Sequence, residues 1–223
     1  SISSDALGKL TMHGEGGSSA QGALDTTAAG DIWDTFDGTT GTKVFSSTAT
    51  TNMIDYKLPT LVDGLSVNAT YVPQAAGAAS SLSYAATYTG VEGLSVSYGV
   101  GEQETSSTAQ GDTTTMKASY AYGPVTVAYS NNDHATETAS KDQETTSYKL
   151  SYTVSDAISV SYGTDVIDLE NDAQDAEFEK VSVAYTSGGM TVTATQASAT
   201  DALHGVTAAE DQDYWSLGLS FAF

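Results

Sequence analysis

The sequence predicts an all-β chain, a transmembrane antiparallel up-and-down β-barrel. Three observations carry this. Apolar and small polar residues alternate with a period of two along the 223 residues, the pattern of strands with two unlike faces. Connections alternate between short and long and none is a helix-length crossover, so successive strands run antiparallel. The apolar face is rich in tyrosine gathered towards strand ends, as in sheets whose outer face meets a bilayer.

About twelve strands follow from the alternation. They cover 7–13, 52–58, 65–72, 80–88, 94–101, 113–122, 125–132, 145–154, 158–166, 178–186, 190–198 and 213–223. In 145–154, Tyr148, Leu150, Tyr152 and Val154 share one face, and Lys149, Ser151 and Thr153 the other. In 178–186, Val181, Val183 and Tyr185 oppose Lys180, Ser182 and Ala184. Tight turns fall at 59–64, 89–93, 123–124, 155–157 and 187–189. Long connections fall at 14–51, 73–79, 102–112, 133–144, 167–177 and 199–212. The chain reads as one domain, 1–223.

The face opposite the apolar one decides between a soluble sandwich and a membrane barrel. It is Ser, Thr, Gly, Ala and an occasional Lys, too small and polar for a sandwich core. One aromatic set, Tyr71, Tyr98, Tyr129, Tyr148, Tyr162 and Trp215, lies towards the long loops. A second, Tyr88, Tyr122, Tyr152, Tyr185, Phe221 and Phe223, lies towards the turns. Two aromatic bands flanking an apolar belt mark a lipid-facing surface. Such a sheet must close, since lipid cannot satisfy a free edge.

Composition removes other classes. The formal net charge is -21, from 28 acidic residues against seven basic ones. No basic patch exists to neutralise nucleic-acid phosphates, so nucleic acid is no partner. There is no cysteine, which excludes disulfide scaffolds and thiol-ligated zinc. No apolar run reaches the roughly 20 residues of a membrane helix. The start, Ser1-Ile2-Ser3-Ser4-Asp5, lacks the basic and apolar regions of a signal peptide. Either a leader is already removed or the chain begins part-way through a longer protein.

The last strand, Tyr214 to Phe223, places an aromatic or leucine at every odd position. It resembles the closing strand of Gram-negative outer-membrane barrels, whose terminal aromatic the assembly machinery reads. Leu7-Gly8-Lys9-Leu10-Thr11-Met12-His13, a loop of nearly forty residues, then Asn52-Met53-Ile54-Asp55-Tyr56-Lys57-Leu58-Pro59 resemble the middle of a sixteen-stranded general porin. There the fifth strand leads into a long third loop folded into the lumen. The resemblance implies that this chain supplies strands five to sixteen; a twelve-stranded barrel is the alternative. It implies a trimeric outer-membrane channel, surrounded by lipid and lipopolysaccharide. Small hydrophilic solutes and ions would cross it passively, with no cofactor and no enzymatic activity. A soluble or surface-attached acidic β-sandwich with a structural or adhesive role is the alternative.

Selectivity in such a pore comes from charge and width at a constriction. The resemblance assigns that constriction to loop 14–51, whose carboxylates Asp25, Asp31, Asp34 and Asp37 would face Lys9 and Lys57. Lys117, Lys149 and Lys180 lie on the same face and would line the wall. The loop also carries Ile32, Trp33, Phe36, Val44 and Phe45, which gain by leaving water. The loop is therefore expected at mid-height inside the barrel. The stretch 165–179 is the densest in acid and reads as a solvated rim. From Asp168 it loosely echoes a calcium loop, but Ala173 stands where glycine is required, so no metal site is assigned. His13, His134 and His204 form no recognisable catalytic constellation.

Overall fold

The structure is a computed structural model. It describes residues 1–24, 26–36, 52–74, 80–103, 111–136, 142–170, 172–204 and 211–222. Among these it holds 13 strands in the order of the sequence, each pairing with the next. They are β1 (Ile2–Ser4), β2 (Gly8–His13), β3 (Met53–Lys57), β4 (Leu65–Val72), β5 (Ser81–Tyr88), β6 (Leu94–Gln103) and β7 (Gly111–Tyr122). Then follow β8 (Val125–Thr136), β9 (Gln143–Ser155), β10 (Ile158–Leu169), β11 (Ala176–Ser187), β12 (Met190–Thr200) and β13 (Gln212–Phe221). Every pairing with a described register is antiparallel.

Two differences from the sequence expectation have physical reasons. The strand β1 is additional; three residues, Ile-Ser-Ser, are too short for alternation to register. Several strands also run further towards the long connections than expected. The strand β8 reaches Thr136, β9 begins at Gln143, and β10 reaches Leu169. The β8 extension is polar on both faces, as in Asn131-Asn132-Asp133-His134, and the β10 extension, Ile167-Asp168-Leu169, puts its apolar residues on the small-residue face, so backbone pairing continues where the period-two signal stops. The acidic stretch 165–179 is thereby divided. Its start belongs to β10 and its end to β11, with Asp165 paired to Phe178 and Ile167 to Ala176.

The tight turns depend on local backbone chemistry. Gly64 has φ 78°, a left-handed conformation open to glycine. A Cβ there would stand 2.3 Å from the Gly90 nitrogen of the neighbouring turn, so glycine serves both conformation and approach.

Packing divides the chain into two compact units. The first comprises Ser1–Thr26, Val44–Ala118 and Asn131–Glu144; the second comprises Thr27–Lys43, Ser119–Ser130 and Thr145–Phe223. In both, the expected face assignment holds. Tyr84, Tyr98, Met116, Tyr148, Leu150, Tyr152, Val181, Val183 and Tyr185 are exposed large apolar residues, and Trp215 is 81% exposed. A soluble sandwich would bury this face. Instead the opposite, small-residue face is covered by residues 19–24 in the first unit and 27–36 in the second.

Candidate functional site

In the first unit, residues 19–24 form a turn on the small-residue face. Ser19, Ala20 and Gln21 are buried. A buried turn must satisfy its backbone N–H groups, and wall hydroxyls do so. The Ala20 N–H donates to Thr70 Oγ1 at 3.0 Å on β4. The Gln21 N–H donates to Ser83 Oγ at 2.7 Å on β5. Gln21 Nε2 donates to Thr115 Oγ1 at 2.7 Å on β7, and Thr115 donates to Asn132 Oδ1 on β8 at 2.5 Å. Gly99 on β6 has no side chain where Leu24 Cδ1 packs; a Cβ there would be 2.7 Å from it. The Ser, Thr and Gly of this face are thus a docking surface for main chain.

In the second unit, residues 27–36 lie on the same kind of face. Gly30 and Asp31 both have left-handed backbone, with φ 86° and 31°. Thr27 Oγ1 accepts the Asp31 N–H at 3.1 Å and donates to Asp31 Oδ1 at 2.7 Å, which holds this reversal. Ile32–Thr35 then form one 3-10 turn that packs against β10, β11 and β12. Its apolar side is buried with the wall residues Ile167, Ala176, Phe178, Ala197 and Ala199. Trp33 meets Phe178 edge-on at 6.4 Å between ring centroids, and Phe36 meets it tilted at 5.9 Å. Such aromatic pairs add about 0.5–1.5 kcal/mol beyond their area burial.

The expected site residues are distributed unevenly. Asp25 and Asp37, like Val44 and Phe45, lie outside the described residues. Asp31 and Asp34 are exposed, whereas Ile32, Trp33 and Phe36 of the same segment are buried. Neither forms an ion pair with a described lysine. Lys180 Nζ donates to the Gly30 carbonyl at 3.4 Å. Lys9 and Lys57 are exposed and directly opposite each other in the β2–β3 register, at the turn ends of those strands. Like charges so placed repel. Lys117 and Lys149 are half-buried along β7 and β9. His13 Nε2 stands 3.9 Å from Asp55 Oδ2 on the same face.

Sequence reasoning missed Gln21, Ser147, Asp165 and Phe178. A signal for the last two was present. Gly163, Asp165 and Ile167 continue the small-residue phase of β10, and Ala176 and Phe178 that of β11. A Phe and an Ile on a face otherwise made of small and polar residues require something apolar above them.

The comparisons with known proteins agree with this architecture. A sequence model of Gram-negative porins matches residues 1–186. No curated protein matches the chain. Among solved structures, a porin refined at 1.8 Å aligns over 98% of this chain and 78% of its own, with TM-score 0.63 and 17% identity. Salmonella typhi OmpF, solved in complex with daunomycin, aligns over 80% and 63%, with TM-score 0.61 and 12% identity. OmpT, an outer membrane protein of Vibrio cholerae, aligns over 86% and 66%, with TM-score 0.53 and 19% identity. The chain thus spans about two thirds to three quarters of these structures. At such identities they speak for the fold, and the family match over most of the sequence speaks for descent: the chain belongs to the Gram-negative porin family, and its place is the outer membrane.

Proposed function

We propose that the chain forms a water-filled channel, without enzymatic activity or cofactor, through which small hydrophilic solutes and ions diffuse, cations preferred. One observation supports this above the rest. Residues 27–36 lie on the small polar face with Ile32, Trp33 and Phe36 buried and Asp31 and Asp34 exposed. In a barrel that face lines the lumen, so residues 14–51 narrow the bore and present carboxylates to it. The constriction is read as Asp25, Asp31, Asp34 and Asp37 with Lys9 and Lys57, and the wall as Lys117, Lys149 and Lys180. Assembly as a homotrimer in lipid and lipopolysaccharide follows from the family.

With a net charge of -21, the potential in a low-dielectric cleft raises local cation concentration. Screening acts over about 8–10 Å near physiological salt. The reversal potential across a bilayer in a salt gradient is therefore expected to show cation preference that fades as salt rises. Anion preference at low salt would refute the charge assignment. Deleting 28–40 should raise single-channel conductance, because the narrowing element is removed. An unchanged conductance would place the constriction elsewhere.

A further inference from the structure

The least expected carboxylate in the second unit is Asp165. The sequence reads it as rim, yet it sits on β10 with no exposed surface. A group sealed from water cannot meet a passing solute. Its neighbours explain what it does instead. Asp165 Oδ2 accepts the Ile32 N–H at 2.9 Å. The Ser147 hydroxyl on β9 accepts the Ala29 N–H at 2.8 Å. Asp165 Oδ1 is buried and takes no hydrogen bond. Two residues before Asp165 on β10 is Gly163, where an added Cβ would lie 2.7 Å from Ala29 Cβ. The N–H groups of residues 29 and 32, on either side of the left-handed pair Gly30-Asp31, are thus both taken by wall side chains.

We infer that Asp165 and Ser147 form a clamp that fixes residues 29–32 against the wall and so sets where Asp31 and Asp34 stand in the pore. The inference rests on the channel reading above and names the positioning residues behind it. Asp165 acts as a hydrogen-bond acceptor, not as a pore charge. A buried N–H without an acceptor is costly, so losing the clamp releases the segment rather than leaving it seated.

The test uses the full chain, purified in detergent, with Asp165→Ala, Asp165→Asn, Ser147→Ala and Gly163→Ala. Single-channel conductance and amide exchange at Ala29 and Ile32 are read together, with the heat-dependent gel shift as a check on folding. Asp165→Ala should show a gain in conductance, excess open-channel noise and loss of protection at both amides. Gly163→Ala should do the same through the clash with Ala29, and it keeps the test decisive if Asp165→Ala does not fold. Ser147→Ala should have a smaller effect of the same kind. Asp165→Asn should match the parent in conductance and exchange, because its amide oxygen still accepts from Ile32. The inference is overturned if Asp165→Ala and Gly163→Ala leave both readouts unchanged, or if Asp165→Asn is as disruptive as Asp165→Ala. If the parent chain forms no channels, the channel reading fails, and amide exchange alone still judges the clamp.

Discussion

Replacing Val183 by Arg should destabilise the folded protein by about 2–4 kcal/mol, the cost of a cation near the bilayer midplane on the lipid face of a barrel. Val183 is 40% exposed, mid-way along β11, and lies opposite Val160 on β10 and Ala194 on β12. Nothing within this apolar band offers a counter-charge. The neighbouring Ser182 points the other way, its hydroxyl 3.1 Å from that of Thr195. Ser182→Ala should cost no more than about 1 kcal/mol, the net worth of one such bond. The measurement is reversible unfolding by denaturant in lipid vesicles. If both substitutions cost the same, the two faces of β11 do not meet different solvents, and its orientation is wrong.

That contrast rests on a property legible in the sequence. On β9 and β11 the tyrosines, valines and leucines occupy one phase and Ser, Thr, Ala and Lys the other, and the structure keeps those phases. The legibility ends where the chemistry becomes symmetric. Beyond Ser130 on β8 the residues on both faces are polar, so alternation no longer reports the strand although its hydrogen bonds continue. On β10 beyond Tyr162 the pattern fails differently, with Ile167 and Leu169 on the small-residue phase and Thr164 and Asp168 on the outward one. Outward-facing Thr164 pairs with Glu179, and Glu179 accepts a hydrogen bond from the Tyr162 hydroxyl at 2.6 Å. The apolar belt stops there and the sheet does not.

The candidate site was legible in outline only. Ile32, Trp33 and Phe36 reveal that the chain after β2 seeks cover, because such groups do not stay in water. Which wall residues receive it depends on registers between strands far apart in sequence. Gln21 and Thr115 are 94 residues apart, and Ile32 and Asp165 are 133 apart. No local pattern encodes such pairs. The charge count was similarly coarse, since Asp165 contributes to the total yet is closed to solvent.

Phe178→Ala should have the largest effect inside the second unit. Phe178 is 0% exposed and is the surface on which Trp33 and Phe36 rest. Truncating a buried Phe costs about 3–5 kcal/mol, from lost transfer free energy and the cavity left behind. Where that cost appears distinguishes two kinds of packing. Phe178 is joined to its strand neighbours by backbone pairing with Asp165 and Ala199, which the substitution leaves intact. Its side chain, in contrast, holds the 3-10 turn Ile32–Thr35. The loss should therefore fall mainly on that turn. Global unfolding should shift by less than the full amount, while amides of residues 29–36 exchange faster and conductance rises. Phe178→Leu, which keeps most of the apolar volume, should change each readout less. If global stability falls by the full amount while residues 29–36 keep their protection, Phe178 supports the sheet itself, and the turn is held by the polar contacts at Ser147 and Asp165 alone.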